Sequence, residues 1–100
     1  MLDKLTSQDF ERYLHDPFCI FSESSLLLEV ELVSVTELGE PPQEEDKRHA
    51  FSLVFRSPLG DSYLPQQIYT LEHQALGKMD LFLVPIGPDP VGMCYEVIFN

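Results

Sequence analysis

Leu81-Phe82-Leu83-Val84-Pro85-Ile86-Gly87-Pro88 and Tyr95-Glu96-Val97-Ile98-Phe99-Asn100 are two apolar runs separated by Asp89-Pro90-Val91-Gly92. Each run is rich in β-branched and aromatic residues, and the residues between them are turn formers, so the pair reads as an antiparallel hairpin. Working back along the chain, Ile68 to His73 and Phe51 to Arg56 have the same character and the same Gly, Pro, Asn, Asp or Ser boundaries. Phe51, Leu53 and Phe55 alternate with Ser52 and Arg56, as expected of a half-buried strand. Leu81 to Ile86 differs, because Phe82, Val84 and Ile86 on one face oppose Leu81 and Leu83 on the other. That strand calls for cover on both faces, from a docked helix, a partner or a second copy.

The first half continues the pattern. Thr6 followed by Phe10, Tyr13 and Leu14 at helical spacing predicts a short helix over 6–15, with Thr6 as N-cap, Asp9 in the first turn and Pro17 as the stop. Phe18 to Ser22 reads as a brief strand, Glu23-Ser24-Ser25 as a turn, and Leu26 to Leu38 as the longest strand. In the latter, Leu28, Val30 and Leu32 face one way and Glu29 and Glu31 the other, with an alternation slip near Leu32-Val33 that predicts a bulge. Residues 37–49 form an acidic connection expected to be mobile. Ser57-Pro58-Leu59-Gly60 fits a type I turn. The expected architecture is mainly β: a small antiparallel β-barrel or two-sheet sandwich of about six strands with one short N-terminal helix, in a single domain.

Composition excludes several functions. Seventeen acidic against six basic side chains give a formal charge of −11, which repels phosphate backbones and anionic bilayers, so neither nucleic acid nor membrane is an expected partner. The opening Met1-Leu2-Asp3-Lys4-Leu5-Thr6 has no basic n-region followed by an apolar h-region, and a cytoplasmic location is expected. Cys19 and Cys94 lack a metal or redox spacing and read as buried thiols, with a disulfide open only if their strands are neighbours. His15, His49 and His73 show no metal-ligand spacing. There is no nucleophile elbow, no phosphate-cradling glycine loop and no cofactor signature, and catalysis is not expected. Tyr63, Tyr69 and Tyr95 each carry a polar tip in need of a partner, and Tyr63-Leu64-Pro65 in a loop is suited to anchoring an interface. The expected protein-binding residues are Tyr63, Leu64, Phe82, Val84 and Ile86.

Several stretches together resemble a known family. They are Leu2 to Thr6 with Asp9-Phe10, Phe51 to Arg56, Leu64-Pro65-Gln66 with Tyr69 to Gly77, and Leu81 to Pro88 with Tyr95 to Asn100. The family is bacterial, of about this length, and catalogued as a domain of unknown function. The resemblance assigns no activity and no catalytic residue. It implies that the gene lies beside genes for phage-tail-collar-like fibre proteins, and hence a structural or assembly role with such a fibre as partner, in an extracellular or tail-like assembly. Two alternatives accompany it: a small-molecule-binding barrel interior, and self-assembly into a homo-oligomer.

Overall fold

A computed structural model describes residues 4–44, 47–58 and 63–100. One helix, α1 (Ser7–Glu11), precedes six strands: β1 (Pro17–Ser22), β2 (Ser25–Glu37), β3 (Phe51–Ser57), β4 (Gln67–His73), β5 (Gly77–Pro88) and β6 (Met93–Phe99). They close into an antiparallel barrel in the order β1-β2-β3-β6-β5-β4. Of the two architectures expected, the barrel is the one formed. The closing seam is short, with Cys19 opposite Glu72, Ile20 opposite Leu71 and Phe21 opposite Thr70.

The turns follow local chemistry. Glu23 and Ser24 both adopt positive φ (51° and 68°), as a two-residue hairpin between the paired Ser22 and Ser25 requires. His73 pairs with Gly77 across a three-residue turn, and Gly77 takes φ 80°, the left-handed position that such hairpins assign to glycine. The alternation slip in β2 is a bulge, since the register with β3 shifts between Leu32 and Ser34. The Ser57 to Gly60 turn lies partly outside the described residues, as do Glu45 and Asp46 of the acidic connection.

The helix is shorter than its periodicity predicts and ends at Glu11. Two constraints stop it before Pro17. His15 has φ 75°, which no helix accepts, and its N–H donates to Leu32 O at 2.7 Å, so this stretch already follows β2. At the other end the Asp9 carboxylate accepts from the Thr6 N–H at 2.8 Å, holding the first turn. A five-residue helix is unstable alone. Its anchor is Phe10, fully buried, with its ring 5.8 Å from Phe51 and 5.4 Å from Phe99. Burial of such a ring contributes roughly 2 to 3 kcal/mol. The helix therefore plugs one end of the barrel and does not cover the outer face of β5, contrary to the cover suggested by the two-sided apolar pattern there.

Inward-facing residues fill the barrel. Phe18, Ile20, Leu32, Leu53, Phe55, Leu71, Leu83 and Tyr95 are all at or below 1 % exposure, and Phe18 meets Phe55 edge-on at 5.0 Å between ring centroids. At the plugged end Phe51 and Phe99 stack at 4.6 Å, and the Arg48 guanidinium lies 5.2 Å over Phe99. Arg48 also donates to Leu5 O at 2.7 Å and to Asn100 O at 2.9 Å. It thereby ties the connection after β2 to both the N-terminal and C-terminal segments.

Candidate functional site

Outward-facing side chains decide what such a barrel can contact. On the outer face Ile68 of β4 stands directly opposite Phe82 of β5, and the two are 64 % and 48 % exposed. Alternation puts Tyr69, Leu71 and His73 inside, which leaves Ile68, Thr70 and Glu72 outside. From the apolar pair towards the β4–β5 turn the next outward positions are polar: Thr70 donates to Asp80 at 2.7 Å, and Glu72 faces Lys78. Further along β5, Val84 faces Glu96, and Ile86 is the extra residue where the register with β6 shifts between Pro85 and Gly87. That bulge keeps Ile86 exposed.

Tyr63 belongs to the same region. It is 62 % exposed and, with Pro85, Gly87, Pro88 and Met93, lines a shallow hollow of about 300 Å³. The loop is held from inside by two tyrosine tips, because Tyr95 Oη accepts from the Leu64 N–H at 2.9 Å and Tyr69 Oη donates to Pro65 O at 2.7 Å. The structure thus brings Tyr63 next to one end of β5, while Phe82 and Ile86 present apolar surface along that strand. Two of the sequence-derived contact residues are less available: Leu64 is half-buried and packs on the core, and Val84 is half-buried. Ile68 is the member that sequence reading missed. Its signal was the Ile68-Thr70-Glu72 set, which puts one large apolar residue on an otherwise polar face.

A second surface feature lies along β2. A groove of about 600 Å³ runs between Leu27, Leu28, Glu29, Val30 and Glu31 on one side and Arg56, Ser57, Pro58 and Val91 on the other, with His15 and Pro17 also lining it. His15 Nδ1 sits 2.8 Å from Glu31 Oε2, and Arg56 pairs with Asp89 at 2.9 Å. Asp89 organises the β5 to β6 hairpin. Its Oδ1 accepts from the N–H groups of Gly92 and Val91 at 2.9 and 2.8 Å, and those bonds, with Arg56 and the Cys94 thiol, hold its carboxyl down to about 2.

The titratable groups inside the fold have structural partners. His73 is buried, with Nε2 3.0 Å from Asp16 Oδ2 and Nδ1 accepting from the N–H groups of Ala75 and Leu76 at 3.1 and 3.2 Å. Its ring lies between Tyr13 and Phe18, 4.4 and 4.6 Å away. Both ring nitrogens are engaged by the protein, leaving neither to take a proton from a substrate. Burial raises the Cys94 thiol above its ordinary value, with Asp89 adding to the effect. Cys19 is raised by burial and by the flanking carboxylates Glu29 and Glu72. A raised thiol stays protonated and is a poor nucleophile. Cys19 is only half-buried, since its position in β1 faces outward between those two glutamates. The two cysteines sit on strands that are not neighbours, β1 and β6, so they do not meet.

Among the described residues no helix is long and apolar enough to cross a membrane. No curated protein and no solved structure matches the chain. One family model, described as Domain of unknown function (DUF6916), matches residues 5–99, from the segment before α1 to the end of β6. That match spans the whole barrel, and the chain belongs to this family of domains of unknown function.

Proposed function

We propose that this barrel is a non-enzymatic protein-binding or assembly module, an accessory of a phage-tail-like fibre protein. The observation that carries the reading is the pairing of Ile68 with Phe82 on the outer face, extended by Ile86 and by the Tyr63 hollow. Apolar side chains side by side on an exposed sheet face favour burial against another protein, at about 25 cal/mol for each Å² covered. A packed interior argues against the alternative of a ligand held within the barrel. The fibre-like partner rests on the family resemblance and on nothing in the fold.

The test is affinity capture of the tagged protein and its Phe82→Glu variant from lysate of the source organism, with quantitative mass spectrometry. A fibre-like protein recovered at near-stoichiometric level by the parent and lost by the variant supports the reading. A parent protein that captures no fibre-like partner and runs as a monomer overturns it, and one that elutes as an oligomer of itself replaces it with self-assembly.

A further inference from the structure

We propose that the outer apolar face of β4, β5 and β6 seats an amphipathic helix of a partner protein, with a lysine or arginine flanking each end of its apolar stripe. The inference rests on the binding role proposed above and specifies what that face accepts.

The face is wider than its central pair. Ile68 stands opposite Phe82, and the pairing of Val84 with Glu96, continued by two residues, sets Ile98 on the other side of Phe82. All three side chains are exposed. Neighbouring strands lie about 4.8 Å apart, so the three form an apolar row about 10 Å across, which is the width of a helix. Along β5 the apolar surface continues through Val84 to the exposed Ile86, four residues or about 13 Å from Phe82. Strand β5 is hydrogen-bonded on both sides, to β4 and to β6, so no strand can be added there and a partner must approach through side chains. An amphipathic helix laid on apolar surface, with anchors at i, i+3, i+4 and i+7, meets that requirement.

Charge decides what flanks the stripe. The outward positions of these three strands hold Glu72, Asp80 and Glu96, and Lys78 is their one described cation. Lys78 stands opposite Glu72, next to the β4–β5 turn. Asp80, two residues before Phe82, and Glu96, opposite Val84, remain on opposite sides of the apolar row. Asp80 accepts from the neutral Thr70 hydroxyl, and among the described residues neither carboxylate is ion-paired. Four residues of strand and one strand spacing put the two about 14 Å apart, the rise of about nine helical residues. Two cations at that spacing, on opposite sides of the apolar stripe, answer both carboxylates as the stripe covers Phe82. A second copy fits poorly, since it brings the same unpaired carboxylates and a charge of −11 against an identical set.

The experiment titrates ¹⁵N-labelled full-length protein with the acetylated and amidated peptide Ser-Lys-Leu-Ala-Gln-Leu-Leu-Ala-Gln-Leu-Lys-Gln-Ala-Gln. Two comparison peptides carry Glu in place of Lys, or the same residues with the leucines spread round the helix. Expected are amide shifts centred on Ile68, Phe82 and Ile98, and none with either comparison peptide. The double variant Asp80→Asn, Glu96→Gln keeps both side-chain shapes and weakens binding on the order of fivefold. Ile68→Glu abolishes binding, and Val91→Glu, on the β5–β6 turn, leaves it unchanged. No shift at millimolar peptide overturns the helix, while a fibre-like partner captured by the parent and lost by Phe82→Glu still upholds the binding role. Peptide binding without any captured fibre retains this site and removes the fibre. Equal binding of either comparison peptide, a double variant that binds as well as the parent, or a parent whose mass rises with concentration unless Ile68→Glu is present would each overturn the proposal.

Discussion

His73 and Asp16, 57 residues apart in the chain, are joined by a 3.0 Å contact between Nε2 and Oδ2. With Nδ1 accepting two backbone N–H groups, the ring is the tautomer protonated at Nε2, assigned here from its hydrogen-bond partners. This one side chain connects the segment after α1, the end of β4 and the turn into β5.

Replacing His73 with alanine leaves two N–H groups and a carboxylate without their partner, and is expected to cost about 3 kcal/mol. Asp16→Asn keeps an acceptor and loses the charge, so about 1 kcal/mol is expected. Urea unfolding of both variants measures the difference, and ¹⁵N imidazole shifts of the parent report the tautomer directly.

Gly92 has no room for a side chain, because a Cβ built there would overlap the carbonyl oxygen of Ser57 on the adjoining strand. The obstacle is backbone, which cannot swing away. Gly92→Ala is expected to destabilise by about 3 kcal/mol or more. Gly77 provides the contrast: nothing lies within 4 Å of its notional Cβ, and only its φ of 80° resists substitution. Gly77→Ala should cost about 1 to 2 kcal/mol. Equal effects in thermal or urea unfolding would show that Gly92 has more freedom than this packing gives it.

Asp89 makes stability depend on pH in a stated direction. Its carboxyl is held at about 2 in the folded chain against an ordinary 3.8, so its contribution is fully present above 3.8 and is lost as pH falls through about 2. The parent should therefore lose stability between those values, and Asp89→Asn should show a shallower loss over the same window. Urea midpoints across that range, with Arg56 unchanged in both proteins, measure the difference in slope.

Arg48 holds both chain ends against the stacked Phe51 and Phe99 rings. Arg48→Ala is expected to cost about 1 to 2 kcal/mol and to speed amide exchange around Leu5 and Asn100 together. Arg48→Lys should recover only part of this, because an ammonium lacks the planar fork that bonds and stacks at once. Exchange that rises at one end alone would mean that Arg48 is not the common tie.

Local patterns were legible wherever a rule of short range governed them. The alternation of Phe51, Leu53 and Phe55 put those side chains inside, and the slip at Leu32-Val33 marked the β2 bulge. The helix was over-read because Tyr13 and Leu14 keep helical spacing, while His15 has left the helical conformation to bond Leu32. Nothing local in the chain announces that competing contact.

What the sequence by itself determined is the set of strands, the alternating faces of β2 and β3 and the turn at Glu23-Ser24, because side-chain alternation and turn chemistry act over a few residues. Tertiary structure alone decided that the sheet closes through β1 and β4, that His73 meets Asp16, and that Ile68 lies beside Phe82. These depend on strand order and register between distant segments, which are set by the packing of the whole barrel and not by any one stretch of the chain.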